Sequence, residues 1–500
     1  MKKFDITIVG GGISGLYSAY CLKKSYPNKT IALFESLPML GGRIQTGSFA
    51  GGLFQPAYGA LRIEPDFQIE MHRFIQELNI PIKHIEQGEA SSATVPNMDL
   101  LTLEEKKLIL SHPDRGADIL LLELGIKKIL GNQWNLENDD LSHPERNQLI
   151  ENLKKTAVYK NKPLYQQGAW NVFSDVLSYE AVEFFREKGA YYNMKNDNQN
   201  AADWIVFLLN LRLMKQPSYI PVGGMIQMIH LIEEQLISMG VEIYLNHHLK
   251  EFKQQDEKLV YLKFNDNQNN NQLKHSEINL ISEHVILAIP QYSLKKFTTY
   301  LPTMINTLLD SVLPIPILWA TATLKNPPWE HSAKPTSGEH APIRAAHLEF
   351  KAHQGETYGM AMFYCDGPWH QYWRHFVDDD VLDFQGYQFL PQVNQNLLLK
   401  NEIEKTIQQQ FGLQVLPNIE EWGIRDWGRP PFGAGVHLWK IGAQSDSIIN
   451  TLKEFSLQED SPHKNMHICG EAYSECQGFF EGAIRSADYA IAAIRQSLIL

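Results

Sequence analysis

Phe4-Asp-Ile-Thr-Ile-Val9 runs straight into Gly10-Gly-Gly-Ile-Ser-Gly15, and Leu16-Tyr-Ser-Ala-Tyr-Cys-Leu-Lys23 follows without a break. The first run is apolar and rich in β-branched residues, the pattern of a buried strand. The last reads as a helix. Between them stands G-x-G-x-x-G, and each glycine has a physical task. Gly10 allows the tight turn, Gly12 lets a pyrophosphate approach the backbone, and Gly15 lets helix and strand pack closely. The N–H groups and positive dipole end of the helix favour an anion there. Thr30-Ile-Ala-Leu-Phe34 reads as a second strand ending at Glu35, twenty residues after Gly15, where a carboxylate can accept ribose hydroxyls. Strand, glycines, helix, strand and acid in this order point to a dinucleotide, and the acid favours NAD or FAD over NADP.

A chain of 500 residues is too long for one hydrophobic core, so two or three structural units are expected. A net charge of −12 argues against nucleic acid as a partner, because phosphate binding needs clustered Lys and Arg. No apolar run reaches transmembrane length, so no membrane anchor is expected. Cys21, Cys365, Cys469 and Cys476 show neither metal-ligand spacing nor a disulfide pattern, which suggests a reduced cytoplasmic protein without a metal. Asn28-Lys-Thr30 matches a glycosylation sequon and in that setting reads as a plain turn.

Past the second strand comes Pro38-Met-Leu-Gly-Gly42-Arg43-Ile-Gln-Thr46, which places a guanidinium where a pyrophosphate would lie. The glycine loop, Glu35 and Gly41-Gly42-Arg43 together resemble the opening of the flavin-containing amine oxidases, the superfamily of monoamine, polyamine and L-amino acid oxidases. The resemblance implies FAD held by Gly10, Gly12, Ile13, Ser14, Gly15, Glu35, Ser36, Gly42 and Arg43. Tyr58-Gly59-Ala60-Leu61-Arg62-Ile63-Glu64-Pro65 is similar to the Gly-x-Met-Arg-x-Pro segment of L-amino acid oxidases, with leucine in place of methionine and Glu64 inserted before the proline. It implies Gly59, Ala60, Leu61 and Arg62 at the cofactor, and Arg62 on the substrate α-carboxylate. The plainer alternative is an Arg62 that pairs with Glu64.

Residues 66 to about 214 read as mostly helical. Thr102-Leu-Glu-Glu105 and Ser142-His-Pro-Glu145 match the capping box that opens a helix. Ile119 to Ile126 and Trp204 to Leu211 carry apolar stripes that belong to a core, and Tyr165 to Tyr192 resembles the helical insertion of L-amino acid oxidases. Ile220 to Met225 leads back toward the flavin domain by the same resemblance. Val241 to Leu245 is a strand, after which Leu249 is placed at the adenine. Asn265 to Gln272, nearly free of apolar residues, reads as a solvated hairpin tip, and Val285 to Pro290 as a short buried strand. Strand-like runs at Ile317–Leu324, Tyr358–Tyr364 and Glu420–Trp427 suggest a mixed sheet, with Tyr364 resembling a second carboxylate-binding residue. Asp426 to Gly435 resembles the segment whose tryptophan, here Trp427, lies against the isoalloxazine. The covalent-flavin cysteine of monoamine oxidases would fall near Val436, and none is there, so FAD is expected to bind non-covalently.

Near the C-terminus, Met466-His-Ile-Cys-Gly470-Glu471 reads as a strand ending in Gly-Glu, and Gly478-Phe479-Phe480-Glu-Gly-Ala483 opens a helix. By resemblance Gly470 and Glu471 meet the ribityl and pyrophosphate, Phe480 and Ala483 flank the flavin, and Gly478 and Phe479 face substrate. The fold class expected is α/β. A Rossmann-type FAD-binding domain is assembled from 1–65, 215–292 and 435–500, a mixed-sheet substrate domain from 66–110 and 293–434, and a helical insertion from 111–214. The activity implied is oxidative deamination of an L-amino acid, with oxygen as acceptor, to the 2-oxo acid, ammonia and hydrogen peroxide. Amine or polyamine oxidase, amino-acid monooxygenase and a non-catalytic flavoprotein are the alternatives, and a homodimer is the open expectation for assembly. No catalytic acid–base residue is singled out, and His72 reads as structural. Many members carry a lysine eight residues before the Lys325 that opens Lys325-Asn-Pro-Pro-Trp329; here Ile317 stands in its place, which leaves the oxygen half-reaction open.

Overall fold

The computed structural model describes residues 1–85, 95–135, 143–188, 197–211, 218–266, 276–329, 336–337, 341–376, 397–456 and 464–499. Most of the expected hairpin tip and the Ser142 cap lie outside these residues. Lys2–Val9 is central in a seven-stranded sheet. Ile31–Phe34 runs parallel on one side, followed by Glu242–Tyr244, and Ser276–Leu287 runs parallel on the other. The end of that long strand, Val285–Leu287, pairs in parallel with Met466–Ile468. Its first half pairs antiparallel with Val260–Asp266, which continues to His247–Gln254. The short strand expected at Val285–Pro290 is therefore the tail of a twelve-residue strand.

The parallel strands all end at one edge of the sheet. Gly10, Glu35, Ala288 and Cys469-Gly470 come directly after them, at the edge where open α/β sheets bind ligands. Side chains alternate across the sheet as strand geometry requires. Ile31 and Leu33 enter the core beneath the helices Ile13–Ser25, Met225–Ser238 and Phe480–Ile499; Ala32 and Phe34 enter the opposite core with Phe252, Leu262 and Phe264. Each such ring or branched side chain, fully buried, stabilises the fold by about 1.5–3 kcal/mol. Helix Ile69–Glu77 adds Met71, Phe74 and Ile75 to the first core, so these residues pack with the dinucleotide fold.

A second sheet has the order Thr336–Ser337, Ala345–His353, Glu356–Asp366, Ile317–Lys325, Glu421–Asp426, and every described pairing in it is antiparallel. Parallel and antiparallel pairings mix in the seven-stranded sheet instead. In Ile317–Lys325 alternation sends Leu318, Ala320, Ala322 and Leu324 into one core and Ile317 and Trp319 to the other face. Phe363 and Cys365 likewise oppose Met362 and Tyr364.

A third core, from Leu101 to Leu209, is helical. Thr102 and Glu105 form the expected capping box, Glu105 N donating to Thr102 Oγ1 and Thr102 N to Glu105 Oε2. Phe173, Phe185, Trp170 and Trp204 pack edge to face at its centre. Lys154, buried, ties this core to helix Ser445–Glu454, lying 3.0 Å from Asp203 and 3.6 Å from Asp446.

Candidate active site

The glycine loop separates into two roles. Gly10 has φ +109°, and a Cβ there would lie 2.3 Å from Ala288 O; a Cβ on Gly15 would lie 2.0 Å from Gly10 O. Both positions are closed by backbone, and Gly15 does not line the cavity beyond it. The close approach of Gly15 to Gly10 O fits the helix–strand packing expected of it. Gly12 is different: a Cβ there would meet only Gly42 Cα, at 3.9 Å. The helix it opens has no side-chain cap and no acid in its first turn. The first N–H groups of that helix consequently face open space lined by glycine, which fits a phosphate.

At the next strand end, Glu35 accepts from Gly11 N at 2.6 Å, Leu37 N at 2.9 Å and Ser36 Oγ at 3.1 Å. Burial raises its pKa, opposed by those donors. The carboxylate is held rigidly on the same cavity as Gly12. Beside it stand Leu249 and three residues that sequence reading missed: His248, Ser293 and Lys296. Burial, with Lys250 and Lys296 nearby, brings His248 down to about 4.

Glu471 joins three distant segments. Its carboxylate takes Arg43 Nη2 at 2.9 Å, His437 Nδ1 at 2.9 Å, His437 N at 3.0 Å and Gly478 N at 2.7 Å. Burial alone would raise its pKa, but Arg43 and His437 hold it down at about 2. Arg43 Nη1 also donates to Gly435 O at 2.7 Å. Arg43, Gly42, Gly470 and Glu471 all line the cavity. Glu481, the acid in the first turn of the last helix, faces elsewhere and accepts from Glu70 N and Met71 N at the start of Ile69–Glu77. Phe480 and Ala483 of the last helix line the cavity.

The same cavity continues to the second sheet. Gly59 is packed against Arg43 O, where a Cβ would come within 1.7 Å, and Ala60, Leu61 and Arg62 follow on the wall. Trp427 donates from Nε1 to Tyr58 O at 2.5 Å and carries the Arg425 guanidinium over its ring at 4.4 Å. Trp319 and Tyr364 meet edge to face at 4.8 Å. Phe479 lies 4.9 Å from Phe67 and 5.9 Å from Phe207 of the helical core. Arg62 lines this end, and its Nε pairs with Glu64, as the plainer alternative held. Ile317 lines it too, against Gly435, so no lysine stands there.

Apart from Gly15, every residue expected at cofactor or substrate lines this one cavity: Gly10, Gly12, Ile13, Ser14, Glu35, Ser36, Gly42, Arg43, Gly59, Ala60, Leu61, Arg62, Leu249, Tyr364, Trp427, Gly470, Glu471, Gly478, Phe479, Phe480 and Ala483. The residues missed, among them Trp319, Phe207 and Gln68, come from elements whose mutual packing no local pattern reveals. Among the described residues no cluster of three metal-ligating side chains exists, and no helix is long and apolar enough to cross a membrane.

A dinucleotide cradle open to a second sheet and a helical unit defines a flavin-dependent oxidoreductase fold. The chain belongs to the flavin-containing amine oxidoreductases, whose family model matches residues 13–494. It is 22% identical to the uncharacterized protein R188 of Acanthamoeba polyphaga mimivirus, over 97% of this chain and 92% of that one. It is 21% identical to aplysianin-A of Aplysia kurodai, over 97% and 89%. Wild-type putrescine oxidase bound to putrescine has the same fold, with a TM-score of 0.64 at 16% identity over 99% of both chains.

The cofactor is FAD, and the uncapped helix start and the glycine cradle fit its pyrophosphate. Val436 and Cys469 line the cavity, Cys469 lying beside Ser14 and Ser18 with its thiol pushed up to about 12 by burial.

Proposed function

We propose that this amine oxidoreductase oxidises an L-amino acid to the 2-oxo acid and ammonia, with oxygen reduced to hydrogen peroxide. Bound FAD supplies the acceptor for the hydride from the α-carbon. Gly12, the helix start at Ile13 and Arg43 hold its pyrophosphate, and Glu35 its ribose. Arg62 takes the substrate carboxylate, with Tyr364 donating from the second sheet. Phe479, Phe207 and Trp319 enclose the side chain and exclude water, which strengthens every charged contact inside. No side chain is required to remove the amine's proton when the neutral amine binds.

The observation that carries this reading is the charge inventory of the cavity. Among its described lining residues the carboxylates are Glu35, Glu64 and Glu471. Glu35 is fastened to backbone N–H groups, Glu64 to Arg62, and Glu471 to Arg43 and His437. Each acid is therefore committed within the protein, whereas a diamine's second ammonium needs an acid of its own. A guanidinium at the substrate end suits a carboxylate instead.

Arg62→Ala tests it. Losing one partner of a buried charged pair costs about 2–5 kcal/mol, so kcat/KM for L-amino acids should fall by roughly thirty-fold to several-thousand-fold. FAD content should stay normal and turnover of simple amines should not fall. Undiminished turnover of L-amino acids would move the anchor elsewhere and favour an amine or polyamine substrate.

A further inference from the structure

We infer that Gln68 is a further donor to the substrate carboxylate, acting through its side-chain Nε2, an inference resting on the amino-acid reading above. Gln68 stands at the N-cap position of helix Ile69–Glu77, where a side chain ordinarily accepts from the first N–H groups of the helix. Its own side chain makes no such cap. Glu481, from the last helix, supplies the acceptor instead, taking Glu70 N at 3.2 Å and Met71 N at 2.9 Å. The helix start is satisfied from outside, and the Gln68 carboxamide is left for another task.

The two halves of that carboxamide differ. Oε1 accepts from Glu64 N at 3.1 Å, and Gln68 N donates to Glu64 O at 2.7 Å, so the side chain is braced by two bonds to one residue. Gln68 is 1% exposed and lines the cavity. Its neighbour Phe67 packs edge to face on Phe479 of the cavity wall, at 4.9 Å. Nε2 carries two N–H donors, and among the described residues it has no hydrogen-bond partner. Leaving a buried amide donor unpaired is costly, and native proteins rarely do so unless water or a ligand completes it.

The chemistry of this half is selective. An amide nitrogen has no lone pair to offer, so Nε2 can bond an oxygen but not an ammonium. The only acceptor of the side chain, Oε1, is spent on Glu64 N. Arg62 Nε also bonds Glu64, through its carboxylate, so amide and guanidinium are anchored on one residue and line the same stretch of wall. A neutral donor beside a charged one adds direction without adding charge. The interaction is made in binding as well as in the transition state, so it acts on affinity more than on the chemical step.

The test uses holoenzyme and benzoate, a carboxylate without an amine, with binding read from the shift of the flavin absorbance. Gln68→Leu keeps the size and removes the donor. Gln68→Glu keeps an oxygen for Glu64 N and turns the donor into an acceptor. Benzoate should bind about ten- to a hundredfold more weakly to Gln68→Leu, the effect of losing one hydrogen bond to a charged group. It should bind more weakly still to Gln68→Glu, where two carboxylates meet. KM for L-amino acids should rise in the same order while kcat changes less, with FAD content unchanged. If Gln68 only braces Glu64, Gln68→Glu keeps the brace and binds benzoate as the parent does, and that result overturns the inference. If both Gln68 variants bind benzoate normally but Arg62→Ala does not, the inference fails and the amino-acid reading stands. If the parent takes up no benzoate, or Arg62→Ala binds it as the parent does, both fail.

Discussion

The two ends of the cavity are made of different material. At the dinucleotide end the wall is largely backbone: Gly12 and Gly42 approach with their Cα atoms, and a helix presents its first N–H groups. At the substrate end the wall is side chain: Arg62, Trp319, Tyr364, Phe207 and Phe479 arrive from five separate segments of the chain. A backbone site depends on residues being absent, and a side-chain site on residues being present. The first end should therefore fail abruptly on substitution and the second by degrees.

The sharpest break is within the glycine loop. Gly15→Val places atoms against Gly10 O and should destabilise the fold itself, by more than the 1–3 kcal/mol typical of an overpacked core. Gly12→Val meets open space, so the protein should fold, with an unchanged far-ultraviolet circular dichroism spectrum, yet purify colourless. A yellow Gly12→Val protein would show that the phosphate lies elsewhere.

The join between the two ends should fail in acid. Glu471 titrates at about 2 in the fold against an ordinary 4.5, so its stabilisation is complete above about pH 4.5 and is lost as pH falls toward 2. The difference corresponds to something on the order of 3 kcal/mol. His284 and His467, brought down by burial to about 4 and about 3, act earlier. Unfolding lets them take up protons below about 6.5, so stability also declines as pH drops from there. Urea midpoints measured from pH 7 to 3 should fall in both ranges, and His284→Gln/His467→Gln should flatten the upper one alone. A midpoint independent of pH from 7 to 4.5 would contradict the histidine assignment, and no further fall between 4.5 and 3 would contradict that of Glu471.

The smallest effect is expected at the wall contributed by the helical core. Phe207→Ala should raise KM for amino acids with large side chains several-fold, on the scale of a few buried methylenes, and leave glycine or alanine turnover and FAD content alone. Equal changes for small and large substrates would mean that Phe207 supports the fold and does not shape the pocket.

The same contrast explains what could be read from sequence. A backbone site writes itself into consecutive residues: Val9, the three glycines and the helix start are contiguous, and Glu35 lies at the end of the next strand. The strands Ile317–Lys325, Glu356–Asp366 and Glu421–Asp426 were legible as apolar runs, and alternation then decides which side chains face the cavity. Their register was not. Trp319 stands opposite Tyr364 because their two strands pair directly and antiparallel, and the strand on the far side of Tyr364, Ala345–His353, has a mostly exposed second half that gave no apolar signal. Phe207 looked like one more core residue of an apolar helix, and its neighbours Leu208 and Leu209 are that. Glu64 was visible as a departure from the family pattern, but its bond to Ser218 depends on a strand more than 150 residues away. Gly15 was assigned to packing by its spacing, and its close approach to Gly10 O fits that role.

The most direct measurement is anaerobic mixing of the yellow holoenzyme with L-amino acids in one series and putrescine or monoamines in another, following flavin absorbance near its visible maximum. The account predicts bleaching by one or more L-amino acids, with one equivalent each of 2-oxo acid and ammonia per flavin, and none by the amines. Bleaching by putrescine or a monoamine with L-amino acids inert would contradict it.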